Sequence, residues 1–237
     1  MSEWKMKRFW SDVTPKAVEA GFAIELDGRR VKTPAKAALI VPNAVLAERV
    51  AEEWRAVDGE IDPSKMPYTR SANAALDKVA VQHGEVAALI AAYAETDLLC
   101  YRAESPVELQ ERQAAAWDGP LEWARDSFGL QLGVARGVMP VAQAEESLAR
   151  ALAITQAMSP FALTAFHDLV SLSGSFVLGL RAAEGCDSAE NLWNVSRIDE
   201  TWQEEQWGVD EEASDMALIK MAQFRHAYDF YHGTVKS

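Results

Sequence analysis

The sequence predicts an α+β fold in which a small N-terminal antiparallel β domain precedes a larger all-helical domain. Two observations predict it. Within the first 41 residues, short β-type segments alternate with turn signals. From Ser71 onwards, apolar residues recur at helical spacing between Gly and Pro breaks. With 49% apolar residues in a chain of 237, enough apolar surface is available for a packed core, which excludes the disordered class.

Four strands are predicted near the N-terminus, at residues 8–13, 22–26, 30–33 and 38–41. In the second of them Phe22, Ile24 and Leu26 alternate with other residues, so that one face is apolar. Asp27-Gly28 follows directly, a pair that favours a tight chain reversal. The apolar face of this sheet requires a cover.

A helix after the sheet provides that cover. Asn43 is a good N-cap residue, and Leu46, Val50 and Trp54 recur about once per helical turn up to Gly59. The prolines of Asp62-Pro63 and Met66-Pro67 then disfavour helix, which indicates a linker. We therefore predict a β-rich domain with one covering helix at 1–68 and a helical domain at 69–237.

The last helix of the predicted helical domain has the clearest pattern. Asp210, Glu211 and Glu212 suit the positive end of a helix dipole, and apolar residues then recur on one face up to Tyr231. Serine followed by proline marks the start of two earlier helices, at Ser105-Pro106 and Ser159-Pro160.

Composition excludes several function classes. A formal net charge of −13 argues against nucleic acid as a partner, and no apolar run approaches the roughly 18 residues that membrane insertion requires. The N-terminus lacks the apolar region of a secretory signal, so we expect a cytoplasmic protein. Cys100 and Cys186 are far apart in the sequence, so neither a disulfide framework nor a metal site is expected, and no cofactor is predicted.

No catalytic residue is predicted, because the common nucleotide-binding, hydrolase and metalloprotease motifs are missing and the four histidines are scattered. The alternative is an enzyme of unknown reaction that uses Asp97 and Cys100. Asp97 falls on an apolar helical stripe with Ile90 and Cys100, where an unpaired carboxylate is costly. Against this stands a structural role, in which Asp97 pairs with an arginine such as Arg102 or caps a nearby backbone.

The segment from Asp199 to Gly208 is the most unusual part of the chain. No basic residue lies between Arg197 and Lys220, whereas eight acidic residues do. On one continuous helix through residues 195–207, one stripe, formed by Val195, Ile198 and Trp202, is expected to face the core. The next stripe, formed by Asp199, Gln203 and Gln206, is expected to be exposed, with Trp207 on its far side. Acidic and amide groups beside large amphipathic rings suit protein recognition.

Seven stretches, taken in order, resemble the F-type ATP synthase assembly chaperones that attend the alpha subunit, the ATP-twelve family. They are Arg8-Phe9-Trp10, residues 26–34, Ile61-Asp62-Pro63 with Met66-Pro67, residues 97–102, Arg112-Gln113, Trp117-Asp118 and residues 196–208. The resemblance covers nearly the whole chain.

This resemblance implies a bacterial molecular chaperone that binds the unassembled ATP synthase alpha subunit, shields its exposed interface and assists assembly of the catalytic sector. It implies no ATP hydrolysis, and it implies a β-rich N-terminal and a helical C-terminal domain. The family's important acidic position falls on Asp199. We expect a monomer whose partner-binding residues are Asp199, Glu200, Gln203, Gln206 and Trp207.

Overall fold

The computed structural model describes residues 7–137 and 139–235 and confirms the α+β class. The strands are β1 Val13–Val18, β2 Gly21–Leu26, β3 Arg29–Arg30, β4 Ile40–Val41, β5 Tyr101–Arg102 and β6 Ala135–Arg136. The helices are α1 Ala44–Ala56, α2 Pro67–Ala74, α3 His83–Ala91, α4 Val107–Phe128, α5 Glu145–Gln156, α6 Pro160–Ser173, α7 Phe176–Ala183, α8 Ala189–Ser196, α9 Ile198–Trp207 and α10 Glu211–Val235. Short 3-10 and π turns join several of the helices.

The N-terminal sheet is antiparallel, with β2 at its centre. Strand β1 pairs with β2 from Val13 opposite Leu26 to Val18 opposite Gly21, and β3 and β4 pair with other parts of β2. Helix α1 packs on this sheet and buries Leu46 and Val50. As predicted, the Asn43 side chain caps α1, accepting a hydrogen bond from the Leu46 N–H at 3.0 Å.

The position predicted for the first strand was wrong. Residues 8–12 are not in a strand, because the Asp27 carboxylate accepts hydrogen bonds from the backbone N–H groups of Ser11 and Asp12. Strand β1 begins at Val13 instead and contains Pro15, which is tolerated because β1 is an edge strand. The third and fourth predicted strands exist but are shorter than expected.

The chain forms two compact units. The first comprises residues 7–83, Ser159–Thr164 and 229–235, and so holds the sheet, α1 and α2. Within it, the carboxylate of Glu53 accepts the N–H groups of Tyr68 and Thr69 at the start of α2, at 2.6 and 2.8 Å. Desolvation raises the pKa of Glu53. The division into residues 1–68 and 69–237 stays a prediction.

The second unit comprises Gly84–Met158 and Ala165–Tyr228 and is mainly helical, and its described residues also include a two-residue parallel pairing, β5 with β6. The sequence pattern did not predict that pairing. The largest fully buried side chains of the second unit include Trp117, Phe166 and Phe176. The rings of Phe166 and Phe176 pack edge to face, with their centres 5.4 Å apart. Across the two described segments, no helix is long and apolar enough to span a membrane.

Candidate partner-binding site

The five predicted partner-binding residues all lie on α9, but α9 is not continuous with the helix before it. Helix α8 ends at Ser196, and Arg197 adopts a non-helical backbone (φ −112°, ψ 22°) before α9 begins at Ile198. The single helix expected through residues 195–207 was therefore wrong. Because the axis is interrupted, the stripe that joined Val195 to Trp202 does not exist as one surface.

Helix α4 holds α9 through two adjacent residues. The Gln113 side-chain amide donates to the Asp199 carboxylate at 2.6 Å. The Arg112 guanidinium binds the Glu205 carboxylate through two hydrogen bonds of 2.9 and 2.8 Å, and it lies 5.0 Å from the centre of the Trp202 ring. Together these contacts fix the start and the middle of α9 against α4.

Asp199 and Trp202 differ from their expected environments. Asp199 was expected on an exposed stripe, whereas its side chain is half-buried and bonded to the buried Gln113. Trp202 was expected in the core, whereas it is half-buried under Arg112. Two residues of α4 account for these environments, because Gln113 binds the Asp199 carboxylate and Arg112 lies over the Trp202 ring.

The other four predicted residues share the solvent side of α9. Glu200, Gln203 and Trp207 follow each other at helical spacings of three and four, and Gln206 lies beside them. All four side chains are exposed, and Trp207 is 88% exposed. An indole with this much free surface next to two amides and a carboxylate is well suited to contact a protein partner.

Two arginines compensate part of the acidic charge of α9. Arg197 approaches the carboxylates of Glu200 and Glu204 at 3.3 and 3.6 Å. The hydrogen bonds from Arg112 lower the pKa of Glu205, which stays ionised at neutral pH. The acids of α9 therefore also hold the helix in place, in addition to giving it a negative surface.

Sequence reasoning assigned no role to the α4 residues that position α9. Leu109, Gln113 and Trp117 are buried at a spacing of four, and the Trp117 indole donates to the Val195 carbonyl at 2.9 Å. The signal available in the sequence was a glutamine on an otherwise apolar stripe. A buried amide of this kind requires hydrogen-bond partners, which here are Asp199 and the Ala103 N–H.

The Asp97 side chain has a structural role, because it caps backbone N–H groups. Its fully buried carboxylate accepts hydrogen bonds from the Leu99 N–H at 2.9 Å, the Ser175 hydroxyl at 2.8 Å and the Val177 N–H at 3.0 Å. It thus caps the 3-10 turn Leu98–Cys100 and joins that turn to the start of α7. Desolvation raises the pKa of Asp97 to about 6, against the lowering effect of these donors.

Cys100 lies beside Asp97 but does not form a reactive pair with it. Its thiol is buried, and desolvation with the nearby Asp97 charge raises the pKa of Cys100 to about 12. The thiolate, which is the nucleophile, is therefore not formed at neutral pH. The Asp97 and Cys100 side chains are both fully buried, so the structure gives the enzyme alternative no support.

Asp97→Asn removes the titrating carboxyl group, so the stability difference between this variant and the wild type should depend on pH. The folded-state pKa lies above the ordinary 3.8, so the folded state favours the protonated form, and this contribution is lost as pH rises through about 6. Lowering the pH from about 7.5 to about 5 should therefore favour the wild type over Asp97→Asn by about 1 kcal/mol in the free energy of unfolding. Urea unfolding of both proteins at several pH values measures this difference. A pH-independent difference would contradict the assignment.

Comparison with known proteins agrees with this architecture along nearly the whole chain. Atp12 from Paracoccus denitrificans is 45% identical, with a TM-score of 0.95 over 98% of this chain and 100% of that chain, and an aspartate-to-lysine mutant of P. denitrificans Atp12p gives the same values. Atu1473 from Agrobacterium tumefaciens is 38% identical, with a TM-score of 0.91 over 97% of this chain and 86% of that one.

Sequence comparison leads to the same group of proteins. The mitochondrial protein atp12 of Schizosaccharomyces pombe is 26% identical over 222 residues, which cover 89% of this chain and 76% of that protein. The family model described as ATP12 chaperone protein matches residues 7–125, about half of the chain. These matches confirm the resemblance drawn from the seven sequence stretches: this chain belongs to the ATP12 chaperone family.

Proposed function

We propose that this chain is an assembly chaperone of ATP synthase that binds the unassembled alpha subunit and shields its exposed interface until the catalytic sector forms. Membership of the ATP12 chaperone family supports the chaperone role. The stretch at residues 196–208, through which the chain resembles the chaperones of the alpha subunit, supports the choice of client. The proposal includes a cytoplasmic location and a monomeric chaperone.

The single observation that carries the proposal is the exposed side of α9. Trp207 leaves most of its indole in solvent, with Gln203 and Gln206 beside it. Burying a tryptophan removes a large apolar surface from water, and tryptophans flanked by hydrogen-bonding groups dominate many protein interfaces. Because α4 fixes α9 in position, binding requires little ordering of this surface, which favours affinity.

The net charge of the α9 surface favours partners of opposite charge. The eight acidic residues from Asp199 to Asp215 outnumber the two arginines that pair with α9 among the described residues, so the surface stays negative. Such a potential speeds encounter with a positively charged partner patch and disfavours acidic partners. The chaperone would thus act by reversible binding alone, through steering, apolar contact and release.

Co-expression with the alpha subunit tests the proposal. We expect the wild type to raise the amount of soluble alpha subunit and to co-purify with it. Trp207→Ser should abolish most of this effect with an unchanged melting temperature, because the side chain is 88% exposed. Val107→Ser, at a side chain that is 60% exposed on α4, is the matched control and should behave as the wild type. Equal recovery of alpha subunit with and without the chaperone would refute the proposed function.

A further inference from the structure

The first half of α10 exposes large apolar side chains where a surface helix normally carries polar ones. Of the thirteen large hydrophobic side chains that are exposed among the described residues, five lie between Trp207 and Ile219. Three of them, Met216, Leu218 and Ile219, lie on α10. Single exposed apolar residues are common, but a cluster of this density marks an interaction surface.

Helical geometry places these side chains on two neighbouring solvent-facing stripes. Met216 and Ile219 follow Glu212 at spacings of four and three, and Leu218 follows Asp215 at a spacing of three. The buried side of α10 is elsewhere, at Phe224 and beyond. The apolar stripes therefore lie outside the core of this helical unit.

The chain connecting α9 to α10 is ordered by its own hydrogen bonds. Gly208, with a φ of 92°, ends α9 and donates to the Glu204 carbonyl at 3.0 Å. The Asp210 carboxylate then caps α10 by accepting the N–H groups of Glu212 and Ala213 at 2.9 and 3.1 Å. The exposed apolar residues are thus held on a capped helix, not on a fraying end.

The acids of α10 differ from those of α9 in their partners. Glu200, Glu204 and Glu205 of α9 each form an ion pair with an arginine. Glu211, Glu212 and Asp215 of α10 form no ion pair with any described residue, and the nearest base along the helix is Lys220. The α10 surface therefore combines exposed apolar side chains with acids that no described base pairs, two of which, Glu211 and Glu212, lie in the first turn, where the helix dipole favours them.

We propose that Met216, Leu218 and Ile219, with the acids Glu211, Glu212 and Asp215, form a docking surface for an apolar client segment flanked by lysine or arginine. This inference rests on the proposed function and names the chemistry of the client segment. Charge complementarity selects basic flanks, because a carboxylate without an ion-pair partner favours a cation near it and disfavours an anion. We call these six residues the α10 surface.

The docked segment contacts the α10 surface through side chains. A helix pairs its interior backbone N–H and C=O groups within itself, so α10 offers no free strand edge to which a client could add a strand. Apolar side chains one helical turn apart can interdigitate with an apolar stripe on a second element. The segment that fits thus carries an apolar stripe with basic residues at its border.

Two synthetic helical peptides with the same leucine pattern, one flanked by lysine and one by glutamate, test the inference by fluorescence anisotropy. We expect the lysine peptide to bind the full chain and the glutamate peptide to bind at least about tenfold more weakly. Met216→Ser/Leu218→Ser/Ile219→Ser should weaken binding of the lysine peptide at least about tenfold. Leu89→Ser is the matched control, since Leu89 and Leu218 lie on helices and are 59% and 63% exposed.

Three results would overturn the inference. The first is equal binding of both peptides, and the second is unchanged binding of the lysine peptide by the triple variant. The third is self-association of the wild type that the triple variant abolishes, because the occupant of the surface would then be a second copy of this chain. The same proteins titrated with the alpha subunit separate this inference from the proposed function. Wild-type binding that the triple variant retains would refute only the α10 surface, whereas the absence of wild-type binding would refute the client.

Discussion

Trp117→Ala is expected to destabilise the helical unit by about 3–5 kcal/mol in the free energy of unfolding, as for other fully buried aromatic residues. The indole is fully buried, and its N–H donates to the Val195 carbonyl at the end of α8. Arg102 also lies 5.2 Å from the ring centre. Truncation leaves a cavity and removes the donor to that carbonyl. Chemical denaturation followed by circular dichroism measures the loss.

Two variants separate the causes of this effect. Trp117→Phe keeps an aromatic ring but removes the N–H donor, so it should cost about 1–3 kcal/mol. Trp202→Ala removes a ring that is only half-buried, so its loss should be much smaller than that of Trp117→Ala. Equal destabilisation by Trp117→Ala and Trp202→Ala would show that Trp202 belongs to the core, in conflict with the structure.

Asp199→Lys is expected to weaken alpha-subunit binding at least about tenfold by displacing α9, together with a loss of stability of about 1–3 kcal/mol. The buried Gln113 donates its amide N–H to Asp199 and accepts the Ala103 N–H with its amide oxygen. A lysine at position 199 would place its ammonium group against the N–H donor of Gln113. Flipping the Gln113 amide would instead place its N–H group against the Ala103 N–H, so one pair of donors would still face each other. Calorimetry and a binding titration on the same sample measure both effects.

Two controls distinguish the Gln113 contact from net charge. Asp199→Asn retains an acceptor for Gln113 and should keep most of the stability and binding. Glu122→Lys makes the same change of charge on an exposed residue of α4, so it should alter neither property strongly. Normal stability and binding of Asp199→Lys would show that the Gln113 contact does not position α9.

Part of the fold was predictable because its signals are local. Asn43 is a capping residue directly before an apolar helical stripe, and the strand at Phe22–Leu26 alternates cleanly, so both were recognised. Strand β1 was misplaced because it lies at the edge of the sheet, where only Val13 is buried and Pro15 is tolerated. An edge strand is defined by its partner β2, and local periodicity does not contain that information.

The candidate site was predictable as a segment but not as a geometry. The concentration of acids and tryptophans identified α9 from composition alone. The environments of Asp199 and Trp202 depend instead on Arg112 and Gln113 of α4, which lie more than 80 residues earlier in the chain. The break at Arg197 also carries no glycine or proline, so helical periodicity continued across it without a signal.

One titration distinguishes the proposed binding of the unassembled alpha subunit from binding to the finished complex. The purified chain, labelled away from α9 and α10, is titrated in parallel with isolated alpha subunit and with the assembled catalytic sector. We expect saturable binding to the isolated subunit, weakened by Trp207→Ser, and no binding to the assembled sector. Equal binding to both would identify a permanent component of the complex, and binding to neither would contradict the proposed binding altogether.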